Sequence, residues 1–175
     1  PLADALGLIR HRAEGLGVPL ELRLELSAGM EPLDPFLPAS MERVRGLPVL
    51  RGAANELGQA FLNLLVNSLD AIEGGRGSGS VPAGRGRISV DLGLTEEGGV
   101  RLVFEDDGPG VGAEVLERAA DPFFTTKEQG KGTGLGLAIV KKIVDEHHGH
   151  VELANRVPRG ALVTLVLPPG REKLA

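Results

Sequence analysis

The segment AANELGQAFLNLLVNSLDAI, from Ala53 to Ile72, has the strongest helical pattern in the chain. At about 100° per residue its apolar side chains fall on one helix face, and they are Leu57, Phe61, Leu64, Leu65, Leu69 and Ile72. A helix with one apolar face must bury that face against another layer of the fold. The segment therefore predicts a layered domain.

Alternating apolar and polar residues elsewhere predict the strands of the second layer. The predicted strands are Val18 to Leu26, a short edge at Leu47 to Leu50, a pair at Arg87 to Leu94 and Val100 to Glu105, and the final strands HVELAN and ALVTLVLP. Further helices are predicted from Leu2 to Gly15 and directly after the glycine run at Gly130 to Gly136. Three stretches lack a regular pattern: the proline-rich Gly29 to Pro38, the low-complexity Gly74 to Arg87, and Asp106 to Lys131. The order predicts one α/β domain over residues 1–175, a two-layer sandwich with a mixed, mostly antiparallel sheet and three main helices.

Composition excludes several classes of protein. The net charge of −5 argues against nucleic acid as a partner. The chain has no cysteine, which excludes disulfides, thiolate metal sites and a thiol nucleophile. No apolar run approaches the roughly 20 residues that cross a bilayer, so we expect no membrane contact. The chain begins at Pro1 without an initiator methionine, and we expect it to be part of a longer protein.

The face of the long helix opposite its apolar side carries Gln59, Asn63, Asn67 and Asp70. One interpretation is a surface helix with its polar side in water. The alternative starts from asparagine being a poor helix former, since its amide competes with the backbone. Asn63 and Asn67 are four residues apart, so their carbonyl oxygens are adjacent and suit Mg²⁺.

The acidic turn VFEDDGPGV ends a predicted strand. It has the composition of a tight turn, but two acids and two glycines exceed what a turn needs. A buried carboxylate at this strand end could accept a hydrogen bond from an exocyclic amine. Gly108 and Gly110 would then let a flat ring lie against the backbone.

The glycine run GKGTGLG places four glycines in the seven residues before a helix. It matches neither the Walker A loop nor the dinucleotide-binding fingerprint. It would deliver free backbone N–H groups at a helix N-terminus, where the helix dipole favours anions, and this predicts a phosphate site. His147, His148 and His150 lie around the C-terminus of that helix, where positively charged side chains are favourable, and we expect Gly149 to be the cap.

Four segments, in this order, resemble the ATP-binding catalytic domain of sensor histidine kinases in the GHKL superfamily. QAFLNLLVNSLDAI resembles the N box, DDGPGV the G1 box, DPFFTTK the F box and GTGLGLAIVKKIVDEHHG the G2 box. The resemblance covers Val18 to Pro168 and is strongest to the nitrogen-regulation type. It implies the Bergerat α/β sandwich, with ATP bound between the N-box helix and a lid from Gly110 to Lys131.

The resemblance also assigns roles to residues. Asn67 corresponds to the Mg²⁺ ligand, with Asn63 beside it, and Asp106 to the carboxylate that reads adenine. Catalytic roles are expected for Asn63, Asn67 and Lys127. The nucleotide-binding set that the resemblance implies is Asn67, Asp70, Asp106, Gly108, Gly110, Phe124, Thr126, Lys131, Gly132, Thr133, Gly134, Leu135 and Gly136.

Three positions depart from the family pattern. Asp107 stands where the family often has asparagine. Asp70 stands where many kinases have lysine or histidine, and in this it resembles the gyrase-like members of the superfamily. No phosphoacceptor box is present, and IRHRAEG around His11 does not match one. We therefore expect the dimerising, histidine-bearing region to lie upstream of Pro1.

The resemblance implies a function and its alternatives. The expected function is that of a protein-histidine kinase which binds Mg-ATP and passes the γ-phosphate to a histidine on a separate domain. Its expected partners are ATP or ADP, that histidine domain of the same protein and a response regulator. We expect a cytoplasmic location, a monomeric fragment and a dimeric parent, and the sequence leaves open whether that parent is membrane-anchored. The alternatives are a non-catalytic nucleotide-sensing module and a gyrase- or mismatch-repair-like ATPase.

Overall fold

The computed structural model describes residues 1–26, 29–34, 52–118 and 134–170. In chain order, the strands are β1 (Leu20–Leu26), β2 (Gly29–Leu33), β3 (Ile88–Leu94), β4 (Val100–Asp106), β5 (His150–Asn155) and β6 (Ala161–Leu167). The helices within these ranges are α1 (Leu2–Leu16), α2 (Ala54–Gly77), α3 (Ala113–Arg118) and α4 (Gly136–Glu146). The predicted edge at Leu47 to Leu50 lies outside the described residues.

The strands form one sheet with the order β2-β1-β3-β4-β6-β5. β1 and β3 are parallel, and every other neighbouring pair is antiparallel. The predicted mixed, mostly antiparallel sheet is thus confirmed, as are the three long helices α1, α2 and α4. The short α3 lies within a stretch that was predicted to be irregular, and that part of the prediction is wrong.

The apolar face of α2 forms the centre of the core. All six of its predicted side chains are buried: Leu57, Phe61, Leu64, Leu65, Leu69 and Ile72. The ring of Phe61 lies 5.9 Å from that of Phe104 on β4, centroid to centroid. Burying a side chain of this size stabilises a fold by about 1.5–3 kcal/mol. This packing fixes α2 on the sheet and leaves its polar side free to build a site.

A row of alternating charges crosses β1, β3 and β4 and continues to the residue after β5. We call its members the charge row: Asp91, Arg23, Glu105, Arg156 and Asp107. Arg23 Nε lies 2.6 Å from Asp91 Oδ1, and Arg23 Nη2 lies 3.6 Å from Glu105 Oε2. Arg156 Nε lies 3.6 Å from that same Glu105 oxygen, and Arg156 Nη1 lies 2.8 Å from Asp107 Oδ1. The row links the β1 side of the sheet to the acidic turn after β4.

Strand β2 occupies part of the stretch predicted to be a proline-rich connection, so that prediction is wrong for Gly29–Leu33. Pro32 pairs with Arg23 in the antiparallel register of β1 and β2. Within the described sheet β2 is an edge strand, and an edge tolerates proline because one side of its backbone needs no ladder partner.

Helix α2 continues to Gly77, into the low-complexity stretch predicted to lack a regular pattern, so that prediction is wrong for residues 74–77. Gly75 is buried, and a Cβ at this position would lie 2.5 Å from Val81 Cγ2. The hydroxyls of Ser78 and Ser80 each donate to the Gly75 carbonyl at 3.2 Å. The returning chain thus packs on Gly75 and stabilises a helical end whose glycines have low helix propensity.

Among the described residues, no helix combines the length and apolar character that a membrane span requires.

Candidate nucleotide-binding site

Asn67 projects from α2 towards the start of α4. A Cβ added to Gly136, the first residue of α4, would lie 3.2 Å from Asn67 Nδ2 and 3.6 Å from its Oδ1. The amide of Asn67 therefore lies against the first turn of α4, and the glycine leaves room for it. Asn63 lies one turn earlier on α2, and its Nδ2 is buried with no hydrogen-bond partner among the described residues.

The N-terminus of α4 begins after a left-handed glycine and carries no side-chain cap, and its predicted role as an anion site stays a prediction. Gly134 has φ +65°, a conformation that favours glycine. The N-cap residue Leu135 makes no side-chain capping hydrogen bond, and the first turn of α4 carries no acidic residue. The backbone N–H groups of this turn are therefore not capped by a side chain at the N-cap.

Asp106, the last residue of β4, is only 5% exposed, and its carboxylate accepts three hydrogen bonds from described residues. Its Oδ1 accepts from the backbone N–H groups of Gly108 at 2.8 Å and Ala161 at 3.2 Å. Its Oδ2 accepts from the hydroxyl of Ser68 at 3.2 Å. Because Ser68 directly follows Asn67, this last bond joins the acidic turn to the polar side of α2.

Burial raises the pKa of Asp106 above its ordinary value, since desolvation penalises the charged carboxylate. The hydrogen bonds from Gly108, Ala161 and Ser68 oppose this shift, and the neighbouring charge of Asp107 adds to it. A buried carboxylate with a raised pKa at the end of a strand is a frequent property of functional sites.

Asp107, the departure from the family pattern, points its carboxylate to basic residues. Its Oδ1 lies 2.8 Å from Arg156 Nη1, and its Oδ2 lies 4.0 Å from Arg87 Nε. The extra negative charge in the turn is therefore compensated within the protein.

The glycines of the acidic turn are required by contacts within the chain. A Cβ at Gly108 would lie 2.7 Å from Asp106 Oδ1 and 3.2 Å from the Cβ of Ala71. Gly110 has φ +80°, and a Cβ there would lie 2.8 Å from Asn155 Oδ1. The protein's own packing thus explains both glycines, and their predicted contact with a flat ring stays a prediction.

Asp70 is directed towards α1. Its Oδ1 lies 2.6 Å from Arg12 Nη2, and the same nitrogen lies 2.9 Å from Glu73 Oε2. The hydrogen bonds that Arg12 donates to Asp70 and then to Glu73 raise the pKa of Arg12 further above its ordinary value. Asp70 therefore joins α2 to α1 here, and its predicted role towards a nucleotide stays a prediction.

The remaining predicted site residues lie outside the described residues: Phe124, Thr126, Lys127, Lys131, Gly132 and Thr133. Four residues that contact the site were not predicted: Ser68, Asn155, Arg156 and Gly160. Ser68 could have been proposed from its place beside Asn67. The other three lie in or beside the β5–β6 turn, and only the pairing of β4 with β6 brings them to the acidic turn.

The histidines at the end of α4 have structural contacts. His147 Nε2 accepts from the N–H of Ala53, the N-cap of α2, at 3.1 Å, and its Nδ1 lies 2.7 Å from the Ile143 carbonyl. The C-cap of α4 is His147, and the left-handed residue after it is His148, with φ 57°, so the prediction of Gly149 as the cap is wrong. Within the described ranges, no three histidine, aspartate or glutamate side chains cluster to hold a metal ion.

Comparison with known proteins identifies the family. Residues 52–171 match the model of the histidine kinase-, DNA gyrase B-, and HSP90-like ATPases. The matched region contains α2, the acidic turn and α4, which are the elements that build the site. The chain belongs to this family.

Its similar relatives are bacterial sensor kinases. The two-component sensor PprA of Pseudomonas aeruginosa is 40% identical over 132 residues, which is 75% of this chain and 13% of that protein. The sensory histidine kinase/phosphatase NtrB of Rhodobacter capsulatus is 38% identical over 136 residues, or 73% of this chain and 36% of that protein. The chain thus spans 13% to 36% of the length of these two relatives. The predicted kinship with sensor histidine kinases, including the nitrogen-regulation type, is confirmed.

Solved structures of histidine kinases share the fold. The mycobacterial sensor histidine kinase MprB superposes with a TM-score of 0.68 and 26% identity, covering 98% of this chain and 94% of that one. Full-length ShkA in complex with AMPPNP gives a TM-score of 0.71 at 22% identity, over 98% of this chain and 30% of that one. The predicted α/β sandwich is therefore the fold of histidine kinase catalytic domains.

Proposed function

We propose that this domain binds Mg-ATP beside α2 and donates the γ-phosphate to a histidine carried by a separate domain. The activity is that of a protein-histidine kinase, with the phosphoacceptor supplied from outside residues 1–175. The family membership supports nucleotide use, and the sensor-kinase relatives support this direction of phosphoryl transfer.

The observation that carries the proposal is the contact between Asn67 and the start of α4. An amide oxygen that suits a hard cation lies against a helix N-terminus that suits phosphate. Metal and phosphate are thus favoured at one place, as a metal–triphosphate complex requires.

The donor set at this place fits magnesium. Mg²⁺ prefers oxygen ligands, keeps several waters and takes most of its other ligands from substrate phosphates, so an amide oxygen beside a phosphate site suits it. Asn67 would hold the ion, with Asn63 beside it. When bound, the ion neutralises charge on the transferred phosphoryl group.

Asp106 supports adenine as the base. Its Oδ1 is used by two backbone donors, whereas its Oδ2 accepts only from Ser68 among the described residues. Oδ2 therefore keeps capacity for a further donor, and an exocyclic amino group provides one.

Asn63 argues against hydrolysis by this domain. An amide cannot take a proton from water as a carboxylate general base does. The residues of the chain therefore orient the nucleotide and leave the attack to a histidine from elsewhere, in agreement with the positioning character of phosphoryl transfer.

Calorimetric titration with ATP, in the presence and absence of Mg²⁺, tests the binding part of the proposal. The wild-type domain should bind more tightly with Mg²⁺, and Asn67→Ala should remove most of this enhancement. Asn55→Ala is the matched control, because Asn55 is exposed at the start of the same helix. A wild type that binds no ATP, or equal metal enhancement in Asn67→Ala, would refute the assignment.

Phosphotransfer from labelled ATP tests the kinase part. The domain alone should neither label itself nor hydrolyse ATP at a useful rate, whereas the full-length parent should acquire label on a histidine. Full-length protein that binds ATP without labelling would identify a nucleotide-sensing module. Rapid hydrolysis by the isolated domain would identify a gyrase-like ATPase.

The cellular setting follows from this proposal. The domain requires ATP, so we place it on the cytoplasmic side. The phosphorylated histidine would then pass its phosphate to a response regulator. We expect the isolated domain to be a monomer and its parent to be a dimer.

A further inference from the structure

Asn155, the last residue of β5, makes a two-bond contact with the end of the acidic turn. Its Oδ1 accepts from the Val111 N–H at 2.8 Å, and its Nδ2 donates to the Val111 carbonyl at 2.8 Å. The side-chain amide thereby holds both backbone groups of one residue, as a neighbouring strand would.

Val111 is the last residue of the acidic turn, and it belongs to no helix or strand. The Asn155 contact fixes this end of the turn, although residues 111 and 155 are distant in sequence. It also holds Gly110 in place, because Gly110 packs closely on Asn155 Oδ1 and Gly160 O.

The β5–β6 turn also contacts the other end of the acidic turn. Arg156 Nη1 donates to the Asp106 carbonyl at 3.3 Å, and the Ala161 N–H donates to Asp106 Oδ1 at 3.2 Å. Gly160 has φ +104°, and a Cβ there would clash with the Asp106 carbonyl oxygen. The acidic turn is thus held at both ends by one neighbouring turn.

Asn155 is exposed, so its two bonds compete with water and add little to global stability. Asparagine is also unfavourable in strands. A contact with two good bonds and a small expected effect on stability points to control of local geometry.

We propose that Asn155 is a positioning residue for base recognition. It acts through Val111 and sets the path of Gly110 beside the base that Asp106 reads, without touching the nucleotide. This inference rests on the proposed function, because it assumes that adenine binds at Asp106.

The test compares Asn155→Ala and Asn155→Asp with wild type. Alanine removes both bonds. Aspartate keeps an acceptor for the Val111 N–H but places a second acceptor against the Val111 carbonyl, so it should not restore the contact. Val157→Ala is the matched control, because Val157 lies in the same turn and is 94% exposed.

Calorimetry with ATP and with GTP provides the discriminating measurement. Both Asn155 variants should bind ATP on the order of tenfold more weakly and show a smaller ATP-to-GTP affinity ratio. Amide exchange at Val111 should be faster in both, while the thermal midpoints stay close to that of Val157→Ala. A purely structural role would lower stability and leave the ratio unchanged.

The outcomes separate this inference from the function on which it rests. A wild type that binds nucleotide, with Asn155→Ala binding ATP equally tightly or keeping the same ratio, overturns the role of Asn155 alone. A wild type that binds neither nucleotide overturns the proposed function and this inference with it.

Discussion

Replacing Asp106 by asparagine tests the base-recognition side of the site with almost no change in shape. The asparagine carbonyl can take the place of Oδ1 and keep the hydrogen bonds from Gly108 and Ala161. The amide nitrogen then takes the place of Oδ2, where Ser68 donates at 3.2 Å and where the adenine amino group is expected. An acceptor for the base thereby becomes a donor, while the fold keeps its backbone contacts.

The magnitude follows from the bond that is lost. A hydrogen bond to a charged group contributes about 1.5–3 kcal/mol, so ATP affinity should fall by roughly ten- to one-hundred-fold. Guanine presents a carbonyl oxygen at the same place, so GTP should bind the variant no worse than wild type. The ATP-to-GTP affinity ratio should therefore collapse.

The raised pKa of Asp106 adds a dependence on pH. A carboxyl whose pKa rises on folding binds its proton more tightly in the folded state. Its contribution to the free energy of unfolding is full below the unfolded pKa and is lost as the pH rises through the folded pKa. Asparagine has no such loss, so Asp106→Asn should gain stability relative to wild type through this window.

Two measurements check the argument: titration with ATP and GTP, and urea unfolding at several pH values. Glu97→Gln is the control, because it removes an exposed carboxylate from the turn between β3 and β4, at the other end of β4 from Asp106. A ratio of affinities that is unchanged in Asp106→Asn would refute the adenine role and leave Asp106 as a turn residue. A constant stability difference across pH would refute the raised pKa.

Three further predictions follow from the same geometry. Gly136→Ala should weaken Mg-ATP binding more than metal-free binding, because its Cβ would crowd Asn67 Nδ2 at 3.2 Å; calorimetry showing equal losses would contradict this. Gly134→Ala should destabilise any state in which residue 134 keeps φ near +65° by about 1–2 kcal/mol, and it should impair nucleotide binding more than thermal stability. Calorimetry that shows an unchanged affinity would count against this. His147→Ala should lower the free energy of unfolding by about 0.5–1.5 kcal/mol, since the Ala53 N–H loses its acceptor, and urea unfolding equal to wild type would disprove this.

The sequence predicted the elements whose side chains repeat regularly. The prediction of the apolar face of α2 was correct at every position, because the helical spacing of its side chains can be read within one continuous segment. β2 was missed because Pro32 marks a turn or connection unless its strand is at an edge, and edge position is a property of the whole sheet. The helical end at Gly75 was missed for a similar reason, since Val81 returns to pack on it.

The candidate site shows the same division between local and distant information. Asn67 and Asp106 were proposed from short motifs, and Ser68 joins their two elements by a direct hydrogen bond. Asn155 and Arg156 could not be proposed, because their partners lie on the far side of the β4–β6 pairing. Short motifs can therefore point to the side chains expected to bind a ligand. The residues that position those side chains come from distant parts of the chain, and only the folded structure shows them.

The charge row makes some of these substitutions interdependent. Its members alternate in sign from Asp91 through Arg23, Glu105 and Arg156 to Asp107, and neither arginine is more than 28% exposed. Removing one charge leaves its neighbours unbalanced in a partly desolvated place. Arg23 and Asp107 share no contact among the described interactions, yet double-mutant cycles between them should give a coupling energy different from zero. A change on β1 would then alter the turn that is expected to read the base.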